Sequence, residues 1–150
     1  MDCDGVLTDG RLYFSSRGEE MKVFDVRDGQ GIVSWHRAGF KSGIISGRGA
    51  AEIIQKRAEE LGIEFVRTSS VDKVRDLESI VEELGLALEQ VAFIGDDIGD
   101  IDVMRRVGFA VTVADAVDET KSVAAYVTKA RGGRGAVREV VDMLLAKHEE

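Results

Sequence analysis

Proline is absent from the chain, and cysteine occurs once. Chain reversals therefore rest on glycine, present 17 times, and on aspartate turns. A lone Cys3 cannot close an intrachain disulfide, and a single cysteine suits a reducing compartment. An excess of basic residues is also lacking: 20 Lys and Arg stand against 28 Asp and Glu, for a net charge of −8. A nucleic-acid surface needs a basic face, so that class of partner is excluded. An anionic small molecule is not excluded, because a bound cation and a few Lys or Arg reverse the field locally. No apolar run approaches the roughly 20 residues that cross a bilayer. The opening MDCDGVLTDG begins with acid and has no basic signal-peptide start. The expectation is a cytoplasmic protein with neither a nucleic-acid nor a membrane partner.

What is present is an ordinary globular mixture, 44% apolar and 32% charged over 150 residues, the size of one domain with one core. There is no linker, repeat or low-complexity tract. Short apolar runs ending at glycine or in a polar turn read as buried parallel strands: Lys41 to Ser46, Glu64 to Arg67, Val91 to Ile94, and Phe109 to Val113. Helical patterns lie between them. Asp28 is placed to cap a helix reaching about Ala38. Others run from Ala50 to Leu61, from a cap at Asp72 to Leu84, from Ile98 to Val107, and from Ala136 to Ala146. Such alternation predicts an α/β fold: a Rossmann-like, doubly wound parallel sheet with helices on both faces. One segment breaks it. Leu12 to Phe14 and Met21 to Val26 flank Ser15 to Glu20 and read as an early β-hairpin with Arg17, Glu19 and Glu20 at a solvated tip.

In a doubly wound sheet, ligands bind beyond the carboxyl ends of the strands. The polar residues at those ends are Asp2 and Asp4, then Ser46, Gly47 and Arg48, then Thr68, Ser69, Ser70 and Lys73, then Asp96, Asp97 and Asp100. Carboxylates gathered at one point repel unless a hard cation joins them, and oxygen ligands suit Mg²⁺. The Lys73 ammonium and the Ser46 hydroxyl can hold phosphoryl oxygens. One carboxylate can act as nucleophile while another, two residues on, moves the proton.

DCDGVLTDG, IISGR, Lys73 and GDDIGDIDVM together resemble the four motifs of the haloacid dehalogenase phosphatase superfamily, in order and at suitable spacing. TDGRLYFSSRGEEMKVFDVRDGQGI, GFKSGIISGR and ARGGRGAVREV further resemble its branch that dephosphorylates 3-deoxy-D-manno-octulosonate 8-phosphate, over nearly the whole chain. The resemblance implies a single phosphatase domain over residues 1–150, using Mg²⁺ and an aspartyl-phosphate. Asp2 is then nucleophile and metal ligand. Asp4 is acid/base, substrate contact and, through its carbonyl, metal ligand. Ser46 and Lys73 hold the phosphoryl group, Asp96 completes the metal set, and Asp97 and Asp100 support it from outside. Thr8, Asp28, Gly29, Gly47, Arg48 and Arg134 are placed at the small anionic sugar-phosphate substrate. The family branch lacks a cap domain, and the stretches Asp4–Ser46 and Lys73–Asp96 leave no room for one here. Its hairpin builds a homotetramer whose neighbours help to exclude water.

Two features depart from the family pattern. Met1 directly precedes Asp2, where relatives have an apolar central strand. Either the numbering starts inside the natural sequence or the strand is absent; if absent, a charged N-terminus lies beside the nucleophile. The tail also ends at Lys147, His148, Glu149 and Glu150, where relatives often carry a longer one. The bland readings make Cys3 a small buried side chain, His36 a surface residue and His148 a frayed one. They place Trp35 and Phe40 in core or interface, and Asp102 in a first helical turn. Other functions remain open: a phosphatase for a nine-carbon acylneuraminate-type 9-phosphate, a non-catalytic oligomerisation module like that attached to sialic-acid cytidylyltransferases, or a receiver-type phosphoacceptor.

Overall fold

The structure, a computed structural model, describes residues 1–148; Glu149 and Glu150 of the tail lie outside the described residues. Strands β1 (Tyr13–Ser15) and β2 (Gly18–Met21) form an antiparallel hairpin. Strands β3 (Gly43–Ile45) and β4 (Phe65–Arg67) pair in parallel, as do β5 (Ala92–Gly95), β6 (Phe109–Thr112) and β7 (Tyr126–Val127). The helices are α1 (Val26–Arg37), α2 (Ala51–Leu61), α3 (Lys73–Leu84), α4 (Ile101–Met104), α5 (Asp118–Val123) and α6 (Ala136–His148). The fold is α/β with parallel strands, and no separate cap is present among the described residues.

The two parallel sets meet at the first two residues. Asp2 N–H donates to Ile94 O, Ile45 N–H donates to Met1 O, and the Met1 ammonium donates to Gly43 O, each at 3.0 Å. Met1 and Asp2 thus bridge β3 and β5, which places Asp2 where the chain switches from one half of the sheet to the other.

Core side chains lie on both faces of the sheet. Ile32 of α1, Ile54 and Ala58 of α2, and Val137 and Val140 of α6 pack with Val6, Ile44 and Val111. Leu77 and Ile80 of α3 and Val103 and Met104 of α4 pack with Ile45, Phe65 and Phe93. The apolar period of each helix is thereby buried. Asp72 caps α3 by accepting from Arg75 N–H at 3.0 Å, and Gly62 and Gly85 close α2 and α3 in the left-handed region.

Several boundaries differ from expectation. Asp25, not Asp28, caps α1, accepting from Arg27 N–H at 2.7 Å; the Asp28 carboxylate is turned toward α6. The helix expected over Ile98–Val107 is a 3-10 turn, Ile98–Asp100, followed by the single turn α4, because Asp100 bonds backward to Asp96 N–H and Asp97 N–H while Asp97 caps Ile98 N–H. The hairpin tip is only Ser16 and Arg17, with Gly18 at φ +101, so Glu19 and Glu20 belong to β2. The short α5 and β7 carry too few apolar residues to register as a pattern.

Candidate active site

Asp2, Asp96 and Asp100 each bring a carboxylate oxygen to one point, all within 4.8 Å of one another. The topology explains the convergence. Asp2 ends the bridge between the half-sheets, Asp96 follows β5, and Asp100 lies one 3-10 turn later. Gly5 permits it: its φ is +86, and a Cβ there would lie 1.9 Å from Asp96 Oδ2. Lys73, the first residue of α3, sets its Nζ 2.8 Å from Asp100 Oδ1 and 3.2 Å from Asp2 Oδ1. Asp100 is 1% exposed, and its Oδ2 accepts from Asp96 N–H at 2.9 Å and Asp97 N–H at 3.3 Å. Asp100 thus stands beside Asp2 and Asp96 with both of its oxygens engaged by Lys73 and by backbone N–H groups. Asp97 is exposed and caps the turn through Ile98 N–H.

The electrostatics follow from three acids facing one cation. Burial, and then the charges of its neighbours, push the Asp2 carboxyl from 3.8 up to about 6. The same causes push Asp96 up to about 8. Burial opposes the charge on Lys73, but Asp100 and Asp2 outweigh it and raise its pKa. Asp96 Oδ1 is buried without a hydrogen-bond partner. A clustered, oxygen-only donor set with an unsatisfied ligand atom fits a hard divalent cation. The residues present therefore fit Mg²⁺.

Asp4, two residues after Asp2, has one oxygen bound to Lys22 Nζ at 2.6 Å and the other buried without a partner. Ser46, at the end of β3, is 1% exposed; its Oγ accepts from Arg48 N–H at 3.3 Å and leaves its own proton to give. Gly47 and Arg48 are exposed at the rim. Arg134 is exposed in the glycine-rich loop before α6, 4.0 Å from Asp9 Oδ2.

Three residues expected at the substrate are engaged inside the protein. Asp28 is 1% exposed and accepts from Gly135 N–H at 3.3 Å and Arg138 N–H at 3.0 Å, fixing the start of α6. Gly29 makes room for Arg57, whose Nη2 would lie 2.5 Å from a Cβ at that position. Thr8 Oγ1 accepts from Gly5 N–H and Gly10 N–H, both at 3.2 Å, and closes the loop after Asp4. Cys3 is fully buried, and burial pushes its thiol up to about 12, so it is no nucleophile. His36 is half-buried between Leu61 O and Ser42 Oγ rather than on the surface, and His148 meets the Phe40 ring edge-on at 4.9 Å rather than fraying. Sequence reasoning missed Lys22 and the role of Glu19. The signal available was a lysine two residues after the Glu19-Glu20 pair in the hairpin, a pattern that also reads as a solvated strand.

Residues 50–140 match the family described as haloacid dehalogenase-like hydrolase. The chain is 44% identical over 145 residues to the 3-deoxy-D-manno-octulosonate 8-phosphate phosphatase of Escherichia coli K12, covering 97% of this chain and 77% of that protein. It is also similar to the crystal structure of that phosphatase from Moraxella catarrhalis in complex with magnesium ion, phosphate ion and KDO (TM-score 0.93, 39% identity, 97% and 83% of the two chains). A third similarity is to the cobalt-bound form from Haemophilus influenzae (TM-score 0.93, 37% identity, 97% and 84%).

Proposed function

The chain belongs to the haloacid dehalogenase-like hydrolase family and is a phosphatase, and from that premise we propose that it is a Mg²⁺-dependent phosphomonoesterase for a sugar-acid phosphate, 3-deoxy-D-manno-octulosonate 8-phosphate foremost. The observation that carries the reading is the meeting of Asp2, Asp96, Asp100 and Lys73 at the topological switch of the sheet, with Asp4 two residues from Asp2. We assign residues 1–150 to one phosphatase domain.

The chemistry divides into two displacements. A carboxylate oxygen of Asp2 attacks phosphorus, the bond to the sugar oxygen breaks, and Asp4 gives that oxygen its proton. Asp4, now ionised, takes a proton from water as the water oxygen attacks the same phosphorus, which frees phosphate and restores Asp2. Mg²⁺ would be held by Asp2, Asp96 and the Asp4 carbonyl, with Asp100 beside them, and when bound would neutralise charge at the phosphoryl oxygens and keep the acids ionised. Lys73 adds positive charge at the same oxygens, and the Ser46 hydroxyl donates to one of them. The exposed Arg48 and Arg134 offer guanidinium groups to the sugar carboxylate.

The hairpin supports a homotetramer: Phe14 is 68% and Met21 53% exposed, beside the exposed Leu12 and Val23, too much apolar surface for a strand pair facing water. A cytoplasmic location fits the absence, among described residues, of any helix long and apolar enough to cross a membrane. The test is phosphate release over a panel of eight- and nine-carbon sugar-acid phosphates and simple sugar phosphates. Greatest kcat/KM for the octulosonate ester is expected. Preference for a nine-carbon ester moves the substrate, and release from none of the panel refutes the reading.

A further inference from the structure

The hairpin is joined to the catalytic loop by a buried ion pair that the reaction as described does not use. Lys22 follows β2 with its side chain 1% exposed. Its Nζ donates to Asp4 Oδ1 at 2.6 Å and to Glu19 Oε1 at 2.7 Å. The Glu19 side chain is 6% exposed, and its second oxygen lies 3.5 Å from Arg48 Nη2. The chain of contacts runs from Asp4 through Lys22 and Glu19 to a guanidinium at the rim of the pocket. Burying an ammonium and two carboxylates is costly unless they pair closely, so a strand that merely faces solvent has no use for such a group.

We propose that Lys22 is the positioning residue of the acid/base: it anchors Oδ1 of Asp4 and leaves Oδ2 as the oxygen that exchanges the proton. The proposal rests on Asp4 acting as acid and base in the reading above. Two observations support it. Asp4 Oδ2 is buried and has no partner, as a proton-transferring oxygen awaiting substrate would be. Among the described residues the Lys22 ammonium donates only to Asp4 and Glu19, so its place is fixed by that pair. The hairpin, by supplying both Lys22 and Glu19, becomes part of the active site as well as a surface.

The test uses p-nitrophenyl phosphate with Mg²⁺. Its phenolate leaves without a proton, so Asp4 is needed only for the water step. Lys22→Met is expected to release the first p-nitrophenolate per folded site at close to the wild-type rate, as a burst, and then to turn over about a hundredfold more slowly, the size of loss that misplacing a catalytic group brings. Lys22→Arg, which keeps the charge, is expected to recover turnover to within about tenfold of wild type. Unchanged turnover in Lys22→Met overturns the proposal. So does an equal fall of the first release and of turnover, or an equal loss in both variants, since each would mean a packing role. A wild type that releases no p-nitrophenolate fails the phosphatase reading instead, so the two failures are distinct.

Discussion

Removing the metal at different pH values probes the acid cluster directly. Without a cation, burial and mutual repulsion hold Asp96 protonated up to about 8 and Asp2 up to about 6, against 3.8 for each ordinarily. A carboxyl whose pKa is raised by folding stabilises the fold at low pH, and that stability is lost as pH rises through the folded value. Between pH 6.5 and 7.5 Asp2 has ionised, while Asp96 holds about one proton more in the folded than in the unfolded chain, a contribution read as the difference between wild type and Asp96→Asn. Each such proton costs about 1.4 kcal/mol per pH unit. For a chain of this size that lowers Tm by about 3–6 °C per unit. Bound Mg²⁺ would keep both carboxylates ionised, so the Asp96 contribution to the slope is expected to disappear when the metal is saturating, and the metal to stabilise more at pH 8 than at pH 6. Calorimetric melts in EDTA and in Mg²⁺ measure this, with Asp96→Asn as the control that lacks the Asp96 contribution. Equal slopes with and without metal, or an unaltered slope in Asp96→Asn, would refute the reasoning.

Further outcomes are expected from single changes. Asp4→Asn should accumulate phosphoenzyme from p-nitrophenyl phosphate while its hydrolysis slows by about 10²–10⁴-fold; normal steady-state turnover would contradict the acid/base role. Gly5→Ala strains a residue at φ +86 and drives a methyl into Asp96, so Mg²⁺ titration should show weakened binding, and unchanged affinity would count against the close approach. Phe14→Glu should lower the particle mass in light scattering, whereas an unchanged tetramer would remove the hairpin from the interface.

The sequence made legible what local chemistry determines. Gly62 and Gly85 marked the ends of α2 and α3, Asp72 announced its cap, and β3, β5 and β6 stood out as apolar runs. Asp2, Lys73 and Asp96 were readable because the strand ends of such a sheet share a rim, and the structure brings them together with Asp100. What stayed hidden depends on long-range partners. Asp28 caps α6 from 110 residues away, so spacing alone put it on its own helix. Glu19 and Lys22 looked like a charged hairpin because their burial comes from Asp4 and Arg48, neither adjacent in sequence. The helix after Asp97 is short because Asp100 turns back to the N–H groups of Asp96 and Asp97 while Asp97 caps Ile98 N–H, a competition that an apolar period does not record.

The central claim is that the phosphoryl group passes through Asp2, and trapping it there is the direct test. Asp4→Asn, mixed with 3-deoxy-D-manno-octulosonate 8-phosphate and Mg²⁺ and quenched in acid, should carry one phosphate on the peptide Met1–Arg11, assigned by fragmentation to Asp2 and absent from Asp2→Asn/Asp4→Asn. Phosphate on another residue, or full turnover by Asp2→Asn alone, would contradict it.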